Sequence, residues 1–227
     1  VSQSGQDVTR AVARNMCEGA TSACRMAAFA GAEVVPVDVG MARGIEDARM
    51  VRANVRRGSG NIAHGSAMSR DGAVRAIEVG IAVACGLVRA GVRLLAAGEM
   101  GIGNTTTSTA VLSALTGEDS DRLTGMGGGL GERLQAVKRA VIRDALARAQ
   151  ADASDVMGVL SKLGGLDICA MAGAYLGAAS ARIPAVIDGY IGCVAALAAV
   201  RLAPEAKAYL FASHVSEEPG AALALEA

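Results

Sequence analysis

The residues best equipped for chemistry lie in one run, Gly98-Glu99-Met100-Gly101-Ile102-Gly103-Asn104-Thr105-Thr106-Thr107. Gly101 and Gly103 can adopt dihedrals closed to other residues and let the backbone approach a ligand closely. Asn104 or Thr105 is placed to cap the helix that follows, whose free N–H groups and positive dipole end suit an anion. Phosphate is the expected guest. Glu99 would repel it, so a sugar hydroxyl or a developing cation is the better partner for that carboxylate. The ordinary reading of Glu99 is an acid favoured by the helix dipole.

Other polar groups fall where chain segments end. They are Asp38-Val39-Gly40, Asp188-Gly189 and Ser213-His214-Val215-Ser216, together with a second glycine cluster, Gly125 to Gly131. The elements that must position them alternate between two periodicities. Short β-rich runs are expected at 33–40, 92–98, 184–189 and 208–212. Helical spacing is expected at 6–30, from Ser69 to a stop at Gly91, and at 104–115, 132–150, 166–180 and 190–202, with Ser154 capping a short helix to 163. In the second of these, Val74, Ile77, Ile81, Cys85 and Val88 fall on one face; in the fourth, Leu134, Val137 and Val141 make the buried stripe. Residues 41–70 are polar, arginine-rich and without a clear period, and a loop of that length is usually functional.

Alternation of this kind predicts an α/β fold: a mostly parallel sheet with helices on both faces, Rossmann-like and three-layered. Ligands in such folds bind beyond the carboxyl ends of the strands, so the four polar strand ends should meet in one crevice.

Composition narrows the partner to a small molecule. Lys plus Arg (22) equal Asp plus Glu (22), aromatics make up 2% and Trp is absent. There is neither a basic field nor a stacking platform for nucleic acid. The five cysteines form no Cys-x-x-Cys pair and read as small core residues of a reducing, cytoplasmic compartment. His64 and His214 have no metal-ligand spacing, and neither a metal nor a cofactor is expected. No signal peptide opens the chain, and no apolar run has the length and flanks of a membrane helix.

Taken together, Gly98 to Thr106, Ile187-Asp188-Gly189-Tyr190 and Ser213 to Gly220 resemble the nicotinate-nucleotide:dimethylbenzimidazole phosphoribosyltransferase family. Glu33 to Gly40 and Gly65-Ser66-Ala67-Met68-Ser69-Arg70 are similar to it too, so the resemblance runs through the whole chain in order. It implies transfer of ribose 5-phosphate from nicotinate mononucleotide to 5,6-dimethylbenzimidazole, giving α-ribazole 5'-phosphate and nicotinate in cobalamin biosynthesis. It also implies a homodimer and a division into a small helical domain, to which residues 1–30 belong, and an α/β nucleotide-binding domain over residues 31–227.

Carried over by motif, Glu99 and Asp188 are the implied catalytic carboxylates, and Gly101, Asn104, Gly127, Gly128, Lys138 and Ser216 the implied substrate-binding residues. Displacement of a pyridinium from an anomeric carbon passes through an oxocarbenium-like state, which acids near the sugar stabilise. Each assignment has a plainer rival: Lys138 shares its helix with Arg133, Arg139 and Arg143, as on a solvated face; Asp188 suits a turn; Ser216 suits a helix-cap neighbour. The family's general base is a glutamate beyond the Ser-His loop, and its opening strand carries Asp-His-Gly; neither is expected within residues 1–227. Ser2 and Ser4 lie near the family's benzimidazole-binding segment.

Two other functions compete. Gly101-Ile102-Gly103 partly matches a dinucleotide fingerprint and so an NAD-dependent oxidoreductase, but Thr106 stands where the third glycine belongs. The other is a non-catalytic nucleotide-binding remnant.

Overall fold

A computed structural model describes all of residues 1–227. Ten α-helices and five short strands follow one another along the chain. The chain opens with α1 (Asp7–Cys17) and α2 (Ser22–Phe29), then β1 (Val37–Asp38) and β2 (Val51–Arg52). Next come α3 (Arg70–Arg89), β3 (Leu95–Ala97), α4 (Asn104–Thr116), α5 (Ser120–Leu123) and α6 (Glu132–Ala149). The last part holds α7 (Val156–Leu163), α8 (Leu166–Ser180), β4 (Ala185–Ile187), α9 (Gly189–Leu202), a 3-10 helix (Pro204–Tyr209), β5 (Leu210–Ala212) and α10 (Ala221–Glu226). No helix is long and apolar enough to cross a membrane.

The class is α/β with parallel strands, as the alternation predicts. The main sheet has the order β3-β4-β5, all parallel, with Leu95, Ala185 and Leu210 in register. Right-handed crossovers that advance in one direction fall on one face. That face holds Ala185 and Ile187, which are buried and belong to the main core with residues of α3, α4, α8 and α9. Ala96, Val186 and Phe211 stand across the other face, where Ala96 and Phe211 are exposed. β1 does not join this sheet, as the single-crevice expectation required; it pairs in parallel with β2. Asp38 at its end is buried and fastens the long loop, accepting from the N–H groups of Gly40 and Met41 and from Asn54 Nδ2. The long loop is therefore largely a tied structure.

Two helix boundaries differ from the sequence reading. The single helix expected at 6–30 is two, because Gly19 takes φ +72 and the Thr21 side chain then caps α2 by accepting from Cys24 N. Only α1 contributes buried side chains, Ala13 and Cys17, which pack with Ile45 and Met50 in a small cluster apart from the main core. The cap of α7 is Asp155 rather than Ser154; its carboxylate accepts from Gly158 N at 3.0 Å while Ser154 bonds Asp152.

The buried face of α3 differs in part: Ile77, Ile81 and Val88 pack on the main core as expected, but the most buried side is centred on smaller residues. It is made of Gly72, Ala73, Ala76, Ile77, Gly80 and Ala84, while Val74 is exposed. The cause is close packing on α8. A Cβ at Gly80 would strike the Ala170 carbonyl, and one at Gly173 would strike the Ile77 carbonyl. The helices meet backbone to backbone, so the small residues face inward. Gly173→Val is accordingly expected to cost about 3 kcal/mol or more, since overpacked backbone cannot yield as a side chain can. Gly86→Ala in the same helix as Gly80 meets nothing within 4 Å, and should be neutral or stabilising by up to ~1 kcal/mol from helix propensity. Urea denaturation of both variants checks the pair.

Candidate functional site

The site forms around the first turn of α4. Gly103 precedes that helix with φ +90, a left-handed conformation that favours glycine, and supplies no side-chain cap. Asn104 is the first helical residue and not the cap expected of it. Its amide is committed elsewhere: Nδ2 donates to Glu99 Oε2 and, at 2.8 Å, to Asp167 Oδ2. One amide thus bridges two carboxylates from different segments. Gly101 lies within this bridge, where a Cβ would stand 2.7 Å from Asp167 Oδ2 and 2.9 Å from Asn104 Nδ2.

Glu99 keeps solvent access, yet enough protein surrounds its carboxylate to alter its acidity. Desolvation is the main cause; the charges of Asp167 and Asp188 add to it, while hydrogen bonds from Asn104 and the Gly101 N–H oppose it, and the balance raises the group to about 6. Ala97 and Ile187 are paired in register, so Glu99 and Asp188 follow adjacent strand ends. Asp188 stands at the end of β4, exposed, with its Oδ1 3.7 Å from His214 Nδ1. The strand ends are latched, because Ser213 donates to the Ile187 carbonyl through both N–H and hydroxyl. Glu99, Asp167 and Asp188 make an acidic wall without the arrangement needed to hold a metal ion. Asp167→Asn removes one of the charges that raise Glu99, so the Glu99 midpoint should fall below about 6 but stay above its ordinary value. Carboxyl carbon NMR titration reads that shift directly.

On the other side of the α4 terminus is a buried cation. Lys138 is 0% exposed. Its Nζ donates to Thr105 Oγ1 at 3.0 Å and to the Gly125 carbonyl at 3.3 Å, two neutral partners. Burial lowers its pKa, and the negative charge of Glu218 works against that. The stripe of α6 that faces inward is Lys138, Ile142 and Ala145, rather than Leu134, Val137 and Val141; Val137 is exposed.

Gly127 bends over the lysine with φ +55, where a Cβ would lie 2.7 Å from Thr105 Oγ1 and 3.3 Å from Lys138 Nζ. A Cβ at Gly128, the next residue, would meet nothing within 4 Å, and the residue is exposed. Ser216 Oγ is engaged locally, accepting from Glu218 N at 3.3 Å. The first residues of the chain cross nearby, with Gln3 Nε2 donating to the Gly129 carbonyl at 2.6 Å.

Glu99, Gly101, Asn104, Gly127, Lys138 and Asp188 are thus gathered about one helix terminus, with acids on one side and the buried cation on the other. Ser216 reaches them through Glu218. Two members were not picked out in the sequence. Asp167 carried only the signal of an acid in the first turn of a helix, and Glu218 lay inside a quoted motif without an assigned role.

A family model described as Phosphoribosyltransferase matches residues 1–227. The chain belongs to that family. Among relatives, a protein of Acetivibrio thermocellus named nicotinate-nucleotide--dimethylbenzimidazole phosphoribosyltransferase is 44% identical over 227 residues, covering 100% of this chain and 65% of its own length. A protein of Alkaliphilus metalliredigens with the same name is 45% identical over 222 residues, covering 97% of this chain and 64% of its own. The crystal structure of CobT from Thermus thermophilus superposes with a TM-score of 0.96 at 37% identity, covering 100% of this chain and 68% of that one. The chain therefore spans just under two thirds of the length of the curated relatives it matches.

Proposed function

We propose that the chain forms the nucleotide-binding part of an enzyme that moves ribose 5-phosphate from nicotinate mononucleotide to 5,6-dimethylbenzimidazole, releasing α-ribazole 5'-phosphate and nicotinate. The observation that carries this reading is the division of the α4 terminus, with acids on one side and a buried cation under a glycine loop on the other. A sugar phosphate presents the matching pair: an anion at one end and, in the transition state, a developing cation at the other.

In this reading the phosphate rests against Lys138 and the backbone of Gly101 and Gly127, with Gly128 and Ser216 at its edge. That anchors the part of the substrate that does not react. Glu99 and Asp188 face the ribose and stabilise positive charge at the anomeric carbon as the bond to the pyridinium nitrogen lengthens. The electron pair of that bond returns to the ring nitrogen, so nicotinate departs without an acid. A benzimidazole nitrogen forms the new bond, and its partner nitrogen releases a proton to a base that we assign to none of residues 1–227. No cofactor is required by these steps.

Residues 1–30 are proposed to belong to a small helical domain, a reading supported by the burial of Ala13 and Cys17 in a cluster apart from the main core, which Ile45 and Met50 complete. The whole protein is proposed to be a cytoplasmic homodimer, and light scattering would test the oligomeric state. Calorimetric titration with nicotinate mononucleotide and with NAD decides between this reading and the dinucleotide one, and the mononucleotide should bind more tightly. Incubating the whole protein with the mononucleotide and dimethylbenzimidazole should release nicotinate. If NAD binds more tightly, or if the complete enzyme releases none, the proposal fails.

A further inference from the structure

The glycine loop between α5 and α6 is gripped by two charged side chains that come from distant parts of the chain. Lys138, in α6, donates to the Gly125 carbonyl at 3.3 Å. Glu218, in the segment before α10, accepts from the Gly127 N–H through Oε1 at 2.7 Å. One side chain holds a carbonyl and the other an amide, and the two residues held are separated by Met126 alone.

Glu218 is rigidly mounted. Its own N–H is held by Ser216 Oγ. Two and three residues on, Gly220 and Ala221 are buried, and a Cβ at Gly220 would stand 2.8 Å from Leu112 Cδ2 and 2.9 Å from the Tyr190 hydroxyl. The loop is shaped to receive the carboxylate, since a Cβ at Gly125 would collide with Glu218 and lie 2.7 Å from Pro219 Cδ. Its second oxygen, Oε2, is buried without a hydrogen-bond partner. Leaving a carboxylate oxygen so placed costs free energy, and the local gain is a counter-charge for a lysine whose direct partners are neutral.

We propose that Glu218 is a positioning residue that holds the Gly125–Gly127 backbone in the shape that, with Lys138, seats the phosphate of the substrate. It acts through Gly127 and not by touching the ligand, and it rests on the nucleotide-site reading above.

The test compares Glu218→Ala with Glu218→Gln in the 227-residue chain, using calorimetric titration with nicotinate mononucleotide, the amide NMR resonance of Gly127 and thermal melting. Loss of a hydrogen bond to a charged acceptor predicts that Glu218→Ala weakens the mononucleotide about tenfold and moves the Gly127 amide proton upfield. Glu218→Gln keeps an acceptor for that N–H and should restore affinity to within about threefold of the parent, since a neutral acceptor still makes a modest bond. A general loss of folding would show in the melting curves of both variants and would not be rescued by glutamine. Equal binding by Glu218→Ala and the parent overturns this inference alone. Tighter binding by Glu218→Ala overturns it too, because the carboxylate would then be a stand-in anion that the substrate must displace. Failure of the parent chain to bind the mononucleotide overturns the site reading and this inference with it.

Discussion

Lys138→Met is expected to weaken nicotinate mononucleotide about a hundredfold, the upper range for a hydrogen-bonded charge, while the melting temperature holds or rises. The two halves of this result have one cause. An ammonium with 0% exposure has lost its water, and its protein partners, Thr105 Oγ1 and the Gly125 carbonyl, are neutral. Two dipoles return only part of what hydration gave, so the cation strains the free protein, as its lowered pKa also indicates. Glu218 offers a counter-charge without a direct bond, and an arriving phosphate supplies the rest. Methionine fills a similar volume without that cost, so stability should not suffer, but the anion then loses its principal counter-ion. A functional group that lowers stability is the usual sign of a site held ready for a ligand. Calorimetry and thermal melting on the same sample check both halves. A variant that melts far lower would mean that the lysine is a structural tie, and one that binds normally would remove it from the phosphate seat.

The central loop was legible because its chemistry is local. Glycines, a carboxylate and the start of a helix follow one another within Gly98 to Asn104, and the order survives folding. The helix edge at Ser69 was equally plain, since its hydroxyl accepts from Gly72 N, whereas the caps expected at Asn104 and Ser154 fall to Gly103 and Asp155. What stayed hidden depends on partners far off in sequence. Asp167 looks like an ordinary first-turn acid until Asn104, 63 residues earlier, is brought against it. Glu218 acquires its meaning from Gly127, which lies 91 residues before it.

Faces chosen by hydrophobicity were partly misread for a related reason. Ile77, Ile81 and Val88 of the apolar stripe of α3 do pack on the main core, but the closest approach to α8 is made through glycine and alanine, and Val74 is turned outward. In α6 the same habit picked Val137 over Lys138. The usable signal was the spacing of Lys138 with Ile142 and Ala145 at i, i+4 and i+7, which puts the lysine on an apolar stripe. Tertiary pairing also decided the sheet: nothing in the run from Val34 to Gly40 distinguishes a partner in β2 from one in β3.

Glu99→Gln should abolish most of the transfer reaction, lowering kcat by about two to three orders of magnitude, as is typical when one group that stabilises transition-state charge is removed. Mononucleotide affinity should change far less, because the phosphate supplies the binding and the carboxylate acts chiefly when charge develops at the sugar. The pH dependence follows from the group's position near 6. Only the ionised form stabilises a cation, so activity should rise with pH through about 6, and that limb should vanish in the glutamine variant.

Stability should move the other way. Between its ordinary value of 4.5 and about 6, the folded chain holds a proton at Glu99 that the unfolded chain has released. Folding is therefore favoured by protonation, and the contribution of this residue is lost as pH rises through about 6. Glutamine, which cannot ionise, should make the chain more stable relative to the parent at about pH 8 than at about pH 5. Melting curves at those two pH values, set beside the pH profile of kcat, would give opposite slopes from a single carboxylate. A parent profile without a limb near 6, or a variant with undiminished kcat, would mean that Glu99 is a helix-terminal acid and that the sugar is faced by Asp188 alone.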